Sequence, residues 1–441
     1  MAKLLYNKDG RLLFTKEMKK EYTILIPQML PVTFALLEKC FQLEGFRTEL
    51  LTTNHRGIVD TGLRYVHNDT CFPALLVIGQ IIDAVQSGKY NVNKIAVMIT
   101  QTGGGCRASN YIHLLRKALY HAGLCQIPVI SLNISGLDRN PGFSLSMRMI
   151  FRLIYSIVYG DLIVNLANQC RPYEIEYGAT DRLVQAWEQK LIAQYAKGKG
   201  IQKKSFRHNL SAICADFAEL PLARVDKVKV GIVGEIYVKY APLGNNNLEQ
   251  FLLDEGCEPV VPGLLDFILF KINNRSTDVD LYGGWRIKRA LANVLQRYIA
   301  RRQQDLIDAI SQFPSFSAPK PFTDLREGVR GLLGYGNKMG EGWLLPGEMI
   351  ELIHAGVNNI VCTQPFGCLP NHIVGKGMIR AIRRIYPEAN IVAVDYDPGA
   401  TKINQENRIK LMLANAAKSL NKEQSADVAP LSPFVSTQED A

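Results

Sequence analysis

The sequence predicts an α/β protein built from two parallel-sheet domains with an intervening helical segment. Near-continuous apolar runs alternate with helical patterns, which is typical of strands that helices cover on both faces. This alternation stops at a long helical stretch and then restarts, so the chain contains two such units. We therefore expect two flavodoxin-like or Rossmann-like domains in a chain of 441 residues, which is too long for one ordinary core.

The first α/β domain is expected over residues 1–143. The segment after Cys71 keeps apolar residues at helical spacing, and "SNYIHLLRKALYHAG" is a second amphipathic helix that ends at a glycine. Between such helices lie four apolar runs of strand length, at 22–28, 48–53, 94–100 and 127–135. Their order along the chain predicts strands joined by helical crossovers.

A helical connecting segment is expected over residues 144–225 and a second α/β domain over 226–420. The second domain has its own strands and a long helical stretch near 281–312. Its predicted strands lie at 228–238, 258–263, 358–364 and 390–397. Residues 421–441 are polar and contain two prolines, so we expect a disordered tail.

Composition and charge favour a soluble cytoplasmic protein. The net charge is +10, but lysine and arginine are spread along the chain without interleaved aromatic residues, so nucleic acid is not an expected partner. No signal peptide is expected. The most apolar stretch, 147–170, is interrupted by Arg148, Arg152 and Asp161, so it predicts a buried helix and no membrane span.

Nine widely spaced cysteines, an odd number, argue against a disulfide framework. In a cytosolic chain they serve in the core, in redox chemistry or in metal binding. Four of them are expected in the core, namely Cys40, Cys125, Cys214 and Cys257. For Cys170, a role in the core and a functional role both remain open.

Three further cysteines, Cys71, Cys106 and Cys368, share one position, between a strand or loop and the start of a helix. Cys71 and Cys368 are each followed by x-Pro, and proline is favoured in the first turn of a helix. The positive end of a helix favours a thiolate, which predicts a low pKa. Before Cys106, the glycines Gly103, Gly104 and Gly105 let the backbone approach a cofactor closely.

Cys362 lies six residues before Cys368 at the end of a predicted strand and can approach the same pocket. Four thiolates from two domains suit an iron–sulfur cluster. Structural zinc is the alternative metal, but its usual closely spaced cysteine pairs are missing. A phosphate-binding loop at "TGGGCRASN" is another alternative, although it lacks the Gly-Lys-Ser/Thr pattern. After another strand, a loop with Gly234, Glu235 and the asparagines at 245–247 either holds a polar ligand or caps the next helix, since asparagine is a good N-cap.

Five segments closely resemble the 2-hydroxyacyl-CoA dehydratase-like superfamily, and more narrowly the C-terminal portion of the large activase-related fusion proteins. The resemblance covers most of residues 20–415 and is most specific around the cysteines. The segments are "NDTCFPALLVIGQIIDA", "ITQTGGGCRASNYIHLLRKAL", "GIVGEIYVK", "GEGWLLPGEMIELIHAGVNNIVCTQPFGCLPNHIVGKGMIRAI" and "NIVAVDYDPGATKINQENRIKLML".

The resemblance implies flavodoxin-like domains that hold an oxygen-sensitive iron–sulfur cluster, either [4Fe–4S] or a double-cubane [8Fe–9S] cluster. It implies the cysteine ligands Cys71, Cys106 and Cys368, with Cys362 beside them. A double cubane needs six cysteines, which this chain reaches only by recruiting Cys125 and Cys170. One branch of the superfamily dehydrates 2-hydroxyacyl-CoA by radical chemistry, and another reduces small molecules at low potential.

The resemblance also implies a partner, an ATP-hydrolysing activase with its own [4Fe–4S] cluster. This chain has no activase-type phosphate motif, so the partner is expected to be a separate protein. We expect a homodimer, or a pseudo-symmetric face made by the two α/β domains, with Arg107 and Lys376 steering an acidic docking surface. The expected enzyme is a lyase or an ATP-coupled reductase. The alternatives are a non-enzymatic electron-transfer or assembly protein and a metal-free binding protein.

Overall fold

The computed structural model describes residues 4–8, 10–67, 69–101, 104–133 and 138–426, with side chains up to 416. It contains two four-stranded parallel sheets flanked by helices, which confirms the predicted α/β class with two flavodoxin-like or Rossmann-like units. The strands are β1 Leu5–Tyr6, β2 Leu12–Leu13, β3 Thr23–Pro27, β4 Arg47–Leu51, β5 Ile95–Thr100, β6 Val129–Leu132, β7 Lys229–Gly234, β8 Glu258–Val260, β9 Asn359–Pro365 and β10 Asn390–Tyr396.

Seventeen α-helices accompany these strands in the described part of the chain. They are α1 Lys16–Glu21, α2 Pro31–Leu43, α3 Gly57–Tyr65, α4 Phe72–Gln86, α5 Tyr111–His121, α6 Met147–Cys170, α7 Ala179–Ala196, α8 Lys203–Ala218, α9 Ile236–Tyr240, α10 Pro242–Asn245, α11 Leu248–Asp254, α12 Leu264–Tyr282, α13 Arg286–Ile310, α14 Phe322–Gly328, α15 Leu344–His354, α16 Ile379–Ile385 and α17 Lys402–Ala426.

The two large sheets have the same strand order. The first runs β4-β3-β5-β6 and the second β8-β7-β9-β10, so in each sheet the strands lie in the order second, first, third and fourth, with the second strand at an edge. All pairings within the two sheets are parallel. This order reverses direction between the first and third strands, and ligands of open α/β sheets bind outside the carboxyl ends at that point. The repeated topology therefore predicts two equivalent ligand-binding edges.

Helix α4 joins the two sheets through one hydrophobic core. Nearly all of its residues are buried, and a helix that is apolar on all sides belongs in an interior. The same core contains Val97 and Val129 from the first sheet and Val230 and Val361 from the second. Alternate strand residues face the outer layers, so each sheet is covered on both sides. The units are thus packed together around the helix that begins after Cys71.

A separate helical layer packs around α6. The predicted connecting segment forms α6, α7 and α8, and the inserted helices α12, α13 and α14 of the second unit share its core. By length and composition, Met147–Tyr173 is apolar enough to cross a membrane, but most of it is buried inside the protein. This burial agrees with the prediction of a core helix.

Some predicted boundaries differ from the structure. The strand predicted over 228–238 ends at Gly234, because Glu235 caps a helix that begins at Ile236. Of the strand predicted over 127–135, β6 covers the central part, and 134–135 lie outside the described residues. Helix α17 extends to Ala426, which is inside the expected tail, and 427–441 lie outside the described residues.

Two glycines allow α3 and α4 to pack at close range. A Cβ atom on Gly79 would lie 2.4 Å from the Ile58 carbonyl oxygen and 3.0 Å from Gly62 Cα. Gly79→Ala should therefore lower the free energy of unfolding by about 1–3 kcal/mol, as expected for overpacking. Urea unfolding measures this loss. Gly334→Ala, where the nearest atom would be 4.0 Å away, is the matched control. Equal stability of the two variants would contradict the close packing.

Candidate functional site

Three cysteines precede helices at the carboxyl edges of the two sheets. Cys71 is the N-cap residue of α4, and Cys106 precedes a 3-10 helix, Arg107–Asn110, that leads into α5. Cys368 follows β9 and accepts a backbone hydrogen bond from His372 in the next helical turn. These positions confirm the prediction that all three stand at helix starts. Cys106 and Cys368 also follow the third strands of their sheets, where the strand order reverses.

A close backbone contact holds Cys71 beside Cys368. The Phe72 amide donates a hydrogen bond to the Phe366 carbonyl oxygen at 2.9 Å. Gly367, at φ 70°, lies against Cys71, and a Cβ atom there would be 3.0 Å from Cys71 Cα. Because any larger residue would push the segments apart, Gly367 allows this approach.

A tight loop over residues 337–342 brings Cys106 to the same place. A Cβ atom on Gly340 would lie 3.8 Å from Cys106 Sγ and 3.1 Å from Pro370 Cγ, two residues after Cys368. Gly340 and Gly342 have φ of 59° and 50°, a conformation that favours glycine. The thiol of Cys106 is within electrostatic range of both Cys71 and Cys368. The three cysteines therefore converge on one site at the junction of the two α/β units, which we call the cleft.

The glycines before Cys106 are only partly described. Gly103 lies outside the described residues. The Gly104 carbonyl oxygen accepts a hydrogen bond from the Ser109 hydroxyl at 2.6 Å, and the Gly105 amide donates one to the Met339 sulfur at 3.1 Å. A Cβ atom on Gly105 would lie 2.9 Å from that sulfur. Gly105 thus lets Met339 close over the loop, and its role as a cofactor contact stays a prediction.

The structure does not bring the Cys362 thiol to this cleft. Cys362 lies within β9, between Val233 and Ala393 on the neighbouring strands, and is fully buried. The Cys362 side chain packs in the hydrophobic core on the outer face of the second sheet. Cys71, in contrast, packs in the core that both sheets share. Its sulfur lies 3.8 Å from Asn371 Oδ1. Strand alternation therefore turns it away from the expected pocket.

The remaining cysteines lie elsewhere. Cys40, Cys214 and Cys257 are buried, as predicted, and Cys170 is buried in the helical layer. Cys125, predicted in the core, is exposed instead, because it lies in the turn between the end of α5 and the start of β6. That turn is at the opposite edge of the sheet from Cys106. Neither Cys125 nor Cys170 therefore supplements the three cysteines of the cleft.

Two carboxyl groups and one amine also line the cleft. Glu235 Oε2 accepts a hydrogen bond from the Val238 amide, and Glu341 Oε1 accepts one from the Ile236 amide. Burial and the neighbouring Glu341 raise the pKa of Glu235 to about 8. Lys271 donates to the Gly340 carbonyl oxygen, and burial lowers its pKa. Glu235 therefore caps the helix that follows it, and its raised pKa favours the neutral carboxyl form.

Burial also determines the charge of the thiols. It raises the pKa of Cys71 to about 11, and it raises the pKa of Cys106 and of Cys368. The carboxyl groups nearby act in the same direction. The prediction of a low-pKa thiolate is therefore wrong, because desolvation outweighs the helix ends. A cation held in the cleft would favour the thiolate forms.

Tyr111 is an additional partner of the cysteines. Its hydroxyl oxygen lies 2.9 Å from Cys71 Sγ, and burial raises its pKa well above the ordinary value. The neutral phenol can donate to the sulfur. No sequence pattern marks Tyr111 as a partner of the cysteines, whereas Glu341 lies within the glycine-flanked "GEGW" of a resembling segment. Lys271 reaches the cleft from the helical insertion, and no local pattern marks it.

The described side chains of the cleft do not form a site for a single metal ion. Among the described residues, no three His, Cys, Asp or Glu side chains lie close enough together to bind one ion. Cysteines that bind different irons are separated by the cluster itself, so this spacing does not conflict with a cluster. Cys71, Cys106 and Cys368 would hold such a group.

The comparisons with known proteins add no identity. The chain matches no protein-family model, and comparison with curated proteins gives no significant match.

Replacing Glu235 should change how stability depends on pH. Its pKa is about 8 in the folded protein against an ordinary 4.5, so the folded state holds the proton more tightly. Wild-type stability should therefore fall as pH rises through this window. Glu235→Gln cannot ionise. Its free energy of unfolding relative to the wild type should therefore increase as pH rises from about 5 to about 8. Urea unfolding of metal-free protein measures the difference.

Glu388→Gln, which replaces an exposed carboxyl, is the matched control for this series. It should leave the pH dependence as it is in the wild type. A Glu235→Gln variant with the wild-type pH dependence would show that the Glu235 carboxyl is ionised in the folded protein.

Proposed function

We propose that this chain is an iron–sulfur protein of the 2-hydroxyacyl-CoA dehydratase-like type. In this proposal a cluster binds in the cleft through Cys71, Cys106 and Cys368, and the protein catalyses a low-potential reduction or a radical dehydration of a small molecule. The observation that carries the proposal is the convergence of three cysteines from two sheets at equivalent carboxyl edges. Their flanking segments are also those that resemble the superfamily most closely.

Three thiolates favour a [4Fe–4S] cluster over a double cubane. Cys362, Cys125 and Cys170 do not line the cleft, so the six cysteines of an [8Fe–9S] cluster are not gathered by this chain. A [4Fe–4S] cluster bound here would supply one-electron chemistry, with one iron that receives no thiolate from the cleft. That iron is where a small ligand could bind.

The surrounding side chains then have defined tasks. With Cys71 bound to the cluster as a thiolate, the Tyr111 hydroxyl would donate a hydrogen bond to its sulfur, and such bonds tune cluster potential. Glu235 holds a proton near neutral pH and can donate it to a bound substrate. Lys271 supplies positive charge next to Glu341 and Cys106. The loop over residues 337–342 lies against Cys106 and Pro370.

The proposed electron donor is a separate ATP-hydrolysing activase with its own [4Fe–4S] cluster. A strongly reducing site needs an energy source, and ATP hydrolysis in a partner supplies it. A homodimer of this chain remains part of the proposal. Lys376 forms an ion pair with Asp395 at 3.0 Å, so Arg107 is the more available of the two expected docking residues. A cytoplasmic location fits because all nine cysteines are free thiols.

Serine substitution tests the ligand assignment. After anaerobic reconstitution with iron and sulfide, the wild type should contain about four irons per chain. Cys71→Ser, Cys106→Ser and Cys368→Ser should each lose most of this iron, because oxygen is a poorer ligand for the cluster. Iron and sulfide analysis with electron-spin resonance measures the outcome.

Cys362→Ser and Cys214→Ser are the matched controls, since both replace buried thiols outside the cleft. They should keep wild-type iron content. Wild-type iron in the three cleft variants, or loss of iron only in Cys362→Ser, would refute the assignment.

The energy source is tested by reduction kinetics. With a dehydratase-type activase, the reconstituted protein should be reduced at least about ten-fold faster with ATP than without it, because hydrolysis drives the transfer. Stopped-flow absorbance follows the reduction. A non-hydrolysable ATP analogue is the control and should give the slow rate. Equal rates with and without ATP would favour the alternative of a simple electron-transfer protein.

A further inference from the structure

A helical hairpin with exposed apolar residues projects from the second α/β unit. It consists of the end of α12, the turn Gly283–Gly284 and the first half of α13. Every residue from 280 to 291 is exposed. The large apolar residues among the exposed ones are Leu281, Tyr282, Trp285, Ile287, Leu291, Val294 and Leu295. Such a concentration of apolar side chains marks an interaction surface.

The two helices of this hairpin pack through polar groups. Ser276 donates a hydrogen bond to Asn293 Oδ1 at 2.6 Å, and Asp280 pairs with Arg289 at 2.8 Å. Asn293 and Arg289 thus face α12. An amphipathic helix normally turns its apolar stripe toward its own protein and its polar face toward water. The first half of α13 does the reverse, so its apolar stripe is available to another molecule.

The stripe has the spacing of a helix-packing seam. Ile287, Leu291, Val294 and Tyr298 follow one another at intervals of four, three and four residues, as at the a and d positions of a heptad. The seam continues onto α6, because the Phe151 ring packs edge-on against Tyr298 at 5.4 Å. Ile287 and Leu291 are 72% and 66% exposed. A narrow seam of this kind fits one further helix.

The charges around the seam are all positive. Residues 283–304 include six basic and no acidic side chains. Arg289 and Arg302 are in ion pairs, with Asp280 and Asp305. The other four, Arg286, Lys288, Arg297 and Arg301, are exposed and form no ion pair with an acid in the described part of the chain. This rim attracts an acidic partner and opposes a like-charged one.

We propose that this seam binds an acidic amphipathic helix of another protein. Leucine-like residues of that helix would pack on Ile287, Leu291 and Val294, while its carboxylates would pair with Lys288 and Arg297. A second copy of this chain fits less well, because its seam carries the same positive rim. An anionic membrane shares the charge preference, but the seam follows the spacing of a and d positions, whereas membrane-surface helices present a broad apolar face.

The hairpin lies next to the loop that covers the cleft. Lys338 pairs with Asp278 near the end of α12, and Gly336 lies against Leu281 and Tyr282. The loop continues to Met339, which contacts Gly105. The proposal depends on the hairpin alone and holds whether or not the cleft contains iron.

Trp285 provides a fluorescence readout of binding, because it lies at the start of α13, two residues before Ile287. The chain has three tryptophans, of which Trp187 and Trp343 are buried and Trp285 is 72% exposed. The probe is a tryptophan-free peptide of four heptads with Leu at a and d and Glu at e and g. It is titrated into the full chain while tryptophan emission is recorded. We expect a saturable blue shift that Trp285→Phe abolishes and that weakens with salt.

Matched variants make the test specific. Ile287→Ser with Leu291→Ser should weaken binding at least about ten-fold, because it removes the centre of the seam. Leu411→Ser, an equally exposed apolar site on α17, is the control and should bind as the wild type does. Arg286→Glu with Lys288→Glu and Arg297→Glu should prefer the same peptide with Lys at e and g. Circular dichroism and thermal unfolding check that each variant is folded.

Several results would overturn the proposal. One is no binding of the acidic peptide, and another is equal binding by the seam variant and the wild type. Self-association of the wild type that the seam variant loses, measured by sedimentation velocity, would assign the seam to a second copy. Cosedimentation with phosphatidylserine vesicles that the seam variant loses would assign it to a membrane.

Discussion

The contact between Cys71 and the loop after β9 is the constraint on which the cleft depends. The hydrogen bond from Phe72 to Phe366 holds the start of α4 against that loop, and Gly367 allows the approach. Because α4 is also the centre of the core shared by both sheets, its position fixes the two units against each other. The same packing that stabilises the fold therefore determines the distance between Cys71 and Cys368.

Electrostatics sets the chemical character of this cleft. Three thiols and two carboxyl groups share a water-poor space with one buried amine, Lys271, and burial favours the neutral form of Glu235 and of the thiols. These thiols and Glu235 keep their protons until a bound cation compensates for the lost hydration. An iron–sulfur cluster would supply that compensation through its metal ions. Binding of the cluster is then expected to release protons from the cysteines.

The sequence predicts the sheets well, because period and run length identify buried strands such as Ile95–Thr100 and the helices between them. It also places Cys71, Cys106 and Cys368 at helix starts, since x-Pro and glycine act locally. It fails for Cys362, whose orientation depends on the alternation of a buried strand. It also does not show Lys271, because a helical insertion far along the chain carries this side chain to the cleft.

An anaerobic crystal structure of the reconstituted protein, with anomalous scattering recorded at the iron edge, tests the central claim most directly. The account predicts anomalous density bonded to the sulfur atoms of Cys71, Cys106 and Cys368, with none at Cys362. Anomalous density bonded to other side chains would contradict the assignment. So would the absence of iron from the cleft in a protein sample that contains iron.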